Sequence, residues 1–305
     1  MNMNLKNRML KVLAFSLIIF LSLGVFSNSS SAIELDIKQM PSEEIYQYLK
    51  SRPAEYKVSI SEYELYEQID NTNIHDSQQK SYVDDFKLKV EELSRKSKEE
   101  LYSLGYSANR VEAIKNYDGS QESLLAIGGD LDLELSSYDF KHDVRNYSGV
   151  SVKTRFRAVM FWEWTEPPIN NHTDAIGMAW KANSGNLICN EDYVDAGVGY
   201  MLSGLEDFTE EAIDGILVND NAISFSFPLR RSVPPMSDNA EFGYMQIELF
   251  NRDLYTTAIQ LSWAYGHSYL VFTPKLSIDA NNMSLSFGPS WKIDTMQDKD
   301  TFYSR

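Results

Sequence analysis

Residues 150–164 read VSVKTRFRAVMFWEW. Val150, Val152, Phe156, Ala158, Met160, Trp162 and Trp164 share one side of an extended chain. Ser151, Lys153, Arg155, Arg157 and Glu163 share the other, because successive strand side chains point to opposite faces. This predicts one long strand with a buried face and a solvated face. The same alternation recurs in Leu131, Leu133, Leu135; in Ile176, Met178, Trp180; in Ile223, Phe225, Phe227; in Met245, Ile247, Leu249; in Ile259, Leu261, Trp263, Tyr265; and in Met283, Leu285, Phe287. Turn residues lie between these runs, at Pro167-Pro168, Ser184-Gly185-Asn186, Pro234-Pro235 and Asn281-Asn282. Half-buried strands that follow one another without intervening helices favour antiparallel pairing. One short helical turn is expected within a connection, at Thr209 to Leu217, with Thr209 as its cap.

Upstream of about Gln121 the period is helical. Pro41-Ser42 opens a segment carrying Ile45, Tyr46, Tyr48 and Leu49 that Pro53 closes, and a second helix is expected over Ser61 to Ile69. After Ser77, the spacing of Tyr82, Phe86, Val90 and Leu93 gives one face of a 3.6-residue helix. Ser97-Lys98-Glu99-Glu100 is a capping-box pattern, and Ser107 caps a further helix that ends at Asp118-Gly119. The two short helices around Gly105-Tyr106 superficially resemble ubiquitin-associated and DNA-binding helical hairpins, but they lack the basic surround that phosphates require. The expected fold class is therefore α+β: a helical N-terminal segment (33–121) followed by an antiparallel β-sandwich (122–305), with Gly119 to Gly129 as the boundary.

The first 32 residues have the three-part form of a secretory signal. Lys6, Arg8 and Lys11 precede an apolar run from Val12 to Phe26, and Ser30-Ser31-Ala32 offers a cleavage site. The run is shorter than the roughly 20 residues of a permanent spanning helix, so the chain is expected to be secreted and extracellular, with no integral membrane segment after signal removal. The full chain carries 28 Lys and Arg against 44 Asp and Glu, a net charge of −16. Without the three basic residues of the leader the net charge is −19, which disfavours nucleic acid and other polyanions. Cys189 is the single cysteine, so no internal disulfide can form, and its neighbours Leu187 and Ile188 mark it as an inert core thiol.

LYSLGYSANRVEAIKNYDGS at 101–120, FWEW at 161–164, DAIGMAW at 174–180 and AYGHS at 264–268 resemble a group of secreted proteins of Gram-positive bacteria with a helical leader part and a β-rich C-terminal half. The resemblance spans roughly residues 95–290 and implies export and architecture. No activity attaches to the group.

Motifs for chemistry are sparse. His75, His142, His172 and His267 show no metal-ligand spacing, no G-x-S-x-G elbow is present, and Ser77-Gln78-Gln79-Lys80 is more simply a helix start. Glu163 and Glu166 flank Trp164 and are the carboxylates a glycosidase-like hydrolase would use, although alternation places Glu163 opposite the tryptophans. The interval Ala182 to Leu229 holds nine Asp and Glu and no Lys or Arg. Calcium could neutralise it, with Asp192 and Asp195 as the first ligands to test. Trp162, Trp164, Trp180 and Trp263 lie on predicted core faces, whereas Trp291, after Gly288-Pro289-Ser290, is the expected exposed ring. Arg230-Arg231 is the densest basic spot, expected to pair with the acidic interval or to bind a partner carboxylate. These features favour a non-catalytic binding or interaction protein for an extracellular glycan or protein, with Trp291, Arg230 and Arg231 as ligand-binding residues and no cofactor beyond the calcium considered above. A secreted carboxylate-dependent hydrolase is the alternative, and a β-rich membrane-active toxin the second.

Overall fold

The computed structural model describes residues 37, 40, 42–72, 81–170, 172–202, 208–212, 217–219, 221–233, 236–268, 277–279, 284–286 and 293–304. The chain divides into two compact units, Met1–Pro41 and Ser42–Arg305. In the first, the Met40 N–H donates to the Ile37 carbonyl at 3.0 Å. The leader expected over residues 1–32 lies outside the described residues, as do His75, Ser77 and Trp291.

The second unit begins with α1 (Ser42–Ser51), β1 (Tyr56–Ser61) and α2 (Glu62–Thr72), then α3 (Tyr82–Ser94), α4 (Lys98–Ser103), α5 (Ala108–Lys115) and α6 (Gln121–Ile127). Four consecutive helices are opened by serine. Ser81, Ser97, Ser107 and Ser120 each accept a hydrogen bond from a backbone N–H of the first turn, and Ser97 with Glu100 completes the capping box. Tyr82, Phe86, Val90 and Leu93 are buried. They join Leu101, Val111, Ile114, Leu124 and Ile127 in one hydrophobic cluster. The boundary region expected at Gly119 to Gly129 contains α6, since Ser120 caps a helix whose Leu124 and Ile127 have that cluster to fill.

The remainder is strand: β2 (Asp130–Arg145), β3 (Ser151–Trp164), β4 (Thr173–Ala182), β5 (Ile188–Cys189), β6 (Asp195–Leu202), β7 (Phe208–Ala212), β8 (Leu217–Asn219), β9 (Ala222–Pro228), β10 (Arg230–Val233), β11 (Met236–Asn251), β12 (Ala258–Ser268), β13 (Ser277–Asp279), β14 (Ser284–Ser286) and β15 (Ile293–Tyr303). Among the described residues, the larger sheet runs β1-β2-β3-β11-β6-β7, with β5 and β10 also on β11. The second runs β15-β12-β4-β9-β8, and β13 pairs with β14. Every described pairing is antiparallel. The helical turn expected at Thr209 to Leu217 is instead strand where described, because Phe208–Ala212 pair with β6 and Leu217–Asn219 with β9. Thr209 lies within a ladder rather than at a cap. The stretch read as helical also contributes β1 to the larger sheet.

A single apolar cluster draws on both large sheets. The Trp162 ring of β3 stacks on Phe227 of β9, with centroids 4.8 Å apart and planes at 10°. The Trp164 indole N–H donates to the Tyr265 hydroxyl of β12 at 3.0 Å. Trp162, Trp164, Trp180 and Trp263 are all buried, as their alternation predicts.

The other face of β3 departs from expectation. Arg155 and Arg157 are buried at 8% and 4% exposure rather than solvated. Helix α1 and the segments at 146–148 and 190–193 supply partners on this face. The Arg157 Nη2 lies 2.6 Å from Glu248 and its guanidinium stacks on Tyr193, while Glu248 also accepts from Asn190 and from the Tyr147 N–H. Arg155 pairs with Asp139. Such charges stay buried because each is paired and hydrogen-bonded. No helix among the described residues is long and apolar enough to cross a membrane.

Candidate functional site

Three places bring chemistry-bearing side chains together. The first is the end of the sheets where the β2–β3 turn, the β4–β5 connection and the β11–β12 connection meet. The β2–β3 turn is closed by the Asn146 N–H donating to the Val150 carbonyl at 2.9 Å. In the β4–β5 connection, Gly185 has φ +67°, and a Cβ there would lie 2.6 Å from Asn251 Nδ2 and 2.8 Å from Leu254 Cδ1, so glycine lets this loop rest on the next. Asn183, Ser184 and Thr256 tie the two connections together, and Thr154 accepts from the Thr256 N–H and donates to the Leu254 carbonyl.

On this tied-down base, apolar side chains face solvent. Nine large hydrophobic residues are exposed among the described residues, and Tyr147, Val150, Ile188, Leu254, Tyr255 and Tyr303 belong to this end. Tyr303 does so because it pairs with Ala258 at the start of β12. Beside them is a concavity of about 500 Å³ lined by Asp143, Val144, Arg145, Ser151, Val152, Lys153 and Arg252. Lys153 donates to Asp143 at 2.6 Å and to the Tyr255 hydroxyl at 3.1 Å, and that hydroxyl donates to Asp143 at 2.7 Å. Asp143 holds the Lys153 ammonium well above its usual range and is itself lowered, first by Lys153 and then by Tyr255.

The second place holds carboxylates. Glu163 accepts from Tyr46 at 2.6 Å and from Lys50 at 2.7 Å, so the side chain expected to be solvated is ion-paired at the foot of α1. Glu166 accepts from Ser107 at 2.5 Å. Glu241 in β11 is pushed up to about 7, chiefly by burial and then by the charges of Glu166 and Glu163. A neutral acid near an ionised carboxylate is the electrostatic pattern of acid–base chemistry. Glu241 was not legible as a partner because nothing local in the sequence sets it near Glu163.

The third is sealed. Asp174 of β4 lies 3.0 Å from His267 Nδ1, His267 Nε2 is 3.1 Å from the Tyr66 hydroxyl, and that hydroxyl donates to Glu62 at 3.2 Å. Glu62 further accepts the backbone N–H groups of Ile169 and Asn170. This is a carboxylate–imidazole–hydroxyl relay with a phenol as its last member, yet all four residues are between 0% and 1% exposed, so no substrate reaches it and it pins α2 to β4 and β12. Asp174 and His267 stand within the two quoted stretches DAIGMAW and AYGHS, which was the available signal.

Of the sequence candidates, Glu163 and Glu166 belong to the second place and Asp192 borders the first through Ser148 of the β2–β3 turn. The Arg230 guanidinium donates to the Leu104 carbonyl. Arg231 pairs with Asp238 of the adjoining strand at 2.7 Å and stacks on Tyr200 at 3.6 Å. Asp192 accepts from Ser148 and Asp195 from Tyr244. Among the described residues no group of three or more His, Cys, Asp and Glu side chains is arranged to hold a metal ion. The Cys189 thiol is pushed up to about 12, first by burial, as an inert thiol should be.

No family model matches the chain, and no curated protein does. Among solved structures, one described as AvmM catalysing macrocyclization in alchivemycin A biosynthesis shares 9% identity over 57% of this chain and 89% of its own, at a TM-score of 0.21. The CupB6 tip adhesin from Pseudomonas aeruginosa shares 12% over 56% of this chain and 53% of its own, also at 0.21. These scores carry no inference about fold or function.

Proposed function

We propose that the protein is exported and acts outside the cell as a non-catalytic binding module for a glycan or a protein. In this reading the two large sheets form an antiparallel sandwich behind the helical N-terminal segment, and the ligand is held at the loop end. One observation carries it: six of the nine exposed large hydrophobic residues described gather at that end. Scattered exposed apolar residues are ordinary, whereas a contiguous group rimmed by polar residues marks an interaction surface. The connections beneath are already hydrogen-bonded to one another, so little ordering entropy is lost on binding. The leader-like residues 1–32 support export.

The test is to place the purified protein on an array of glycans and cell-wall fragments, with calcium and with chelator, and to assay the same wells for released product. Binding without product is expected, and the double variant Tyr147→Ala, Leu254→Ser should weaken it by about tenfold or more at a temperature where its melting curve shows it folded. Product that disappears in Glu163→Gln and Glu241→Gln would replace this reading with the hydrolase one, which the raised Glu241 beside ion-paired Glu163 favours. Chelator that lowers both binding and the midpoint would show a stabilising calcium site, and loss of that response in Asp192→Asn, Asp195→Asn would assign it to those residues.

A further inference from the structure

The concavity between β2, β3 and the end of β11 has a charge opposite to that of the molecule. Its lining carries Arg145, Lys153 and Arg252 against Asp143 alone, in a chain of net charge −16. Lys153 is neutralised by Asp143. Arg145 donates only a long 3.4 Å hydrogen bond to the Gly149 carbonyl, and Arg252 lies 5.9 Å from the Phe250 ring centroid. Neither guanidinium is paired with a carboxylate among the described residues, although the chain holds 44 acidic side chains. Elsewhere in the same sheet Arg155, Arg157 and Arg231 each have one. Two planar five-donor groups left without an acid at the rim of one hollow match a planar oxyanion, which a guanidinium binds through two parallel N–H bonds.

A ring surface adjoins them. Tyr255 is 49% exposed, and its hydroxyl is clamped by Asp143 and Lys153. Its ring stands edge-on to His142, with centroids 5.5 Å apart and planes at 80°. The phenol is therefore held in place while part of its surface remains open, and such a ring accepts the apolar face of a sugar with little loss of side-chain freedom. Asp143 reaches this clamp from a backbone with φ +51°, a strained conformation for a residue with a side chain.

We propose that this concavity binds a carboxylated sugar, a uronic acid unit, with Arg145 and Arg252 taking the carboxylate and Tyr255 the ring. This rests on the binding reading above and names its ligand class. Net repulsion from the acidic surface, focused field in the hollow and a stacking ring together select single carboxylates on sugars over dense polyanions.

The experiment is calorimetric titration of the purified protein with trigalacturonate, with its fully methyl-esterified form and with a sulfated trigalactose. Binding of trigalacturonate is expected. The ester should bind at least about tenfold more weakly, and so should trigalacturonate to Arg145→Ala and Arg252→Ala, because each change removes a charge-assisted pair. Arg252→Lys, which keeps the charge and loses the fork, should fall between. Both arginines are exposed, so the melting midpoints should stay unchanged. Equal binding of acid and ester, or full binding by both alanine variants, overturns the proposal. Sulfated trigalactose binding as tightly overturns the choice of carboxylate. No binding of trigalacturonate by a protein that does bind neutral glycans on the array overturns the ligand class while leaving the binding reading standing; no binding on the array either overturns the ligand class and the glycan half of the binding reading together.

Discussion

At the scale of single residues, Glu241 makes a measurable statement. Its carboxyl is raised from 4.5 to about 7, first by burial and then by Glu166 and Glu163. Between these two values the folded chain holds a proton that the unfolded chain has released. Its contribution therefore favours folding at low pH and is lost as pH rises from about 4.5 to about 7. Glu241→Gln removes that dependence. Urea unfolding of wild type and variant at pH 5 and pH 8 should show the variant gaining about 2 kcal/mol on the wild type across the interval. Parallel stability curves for the two proteins would mean that Glu241 is ionised in the fold.

The scale of elements is governed by how closely β3 and β11 approach. Gly243 is paired with Trp162, and a Cβ at Gly243 would lie 2.6 to 2.7 Å from three indole atoms. That indole is fully buried and stacked on Phe227, so it cannot yield. Gly243→Ala should cost about 2 to 4 kcal/mol by forcing the ring off its rotamer. Ser97→Ala removes one cap at the surface, and about 1 kcal/mol is expected. Thermal unfolding of the two variants ranks them, and a Gly243→Ala midpoint at or above that of Ser97→Ala would contradict the close packing. The strand period and the caps at Ser97 and Ser107 were legible, because each depends on residues a few positions apart, whereas the caps at Ser81 and Ser120 were not read. The strands at Phe208–Ala212 and Leu217–Asn219 were not: Thr209 reads locally as a cap, and only pairing with β6 and β9 decides for strand.

For the whole molecule, the Glu62–Tyr66–His267–Asp174 network joins segments more than 90 residues apart. Removing one partner of a buried charged set leaves the rest unpaired, which costs about 3 to 5 kcal/mol. Asp174→Ala should lose that much. Tyr66→Phe, which deletes one neutral hydroxyl, should lose about 1 to 2 kcal/mol. Hydrogen exchange should show α2 and β12 opening together in Asp174→Ala. Protection lost in β12 alone would mean that the network is not what holds the helix.

Local order along the chain fixed much of the architecture in advance. The alternation in β3, β4 and β12 put Trp162, Trp164, Trp180 and Trp263 inward, and Ser97 and Ser107 placed two of the four serine caps, because strand period and capping depend on nearest neighbours in the chain. What lay on the far face of β3 depended on distant segments. Arg155 and Arg157 read as solvated charges, and Asp139, Glu248 and Tyr193 arrive from elsewhere to bury them. The loop-end surface followed the same rule: Tyr147, Ile188, Leu254 and Tyr303 lie far apart in sequence, and each is ordinary alone. Only the pairing of β2, β3, β11, β12 and β15 brings them to one end, because a ligand surface is made of residues adjacent in space and the sequence records adjacency along the chain.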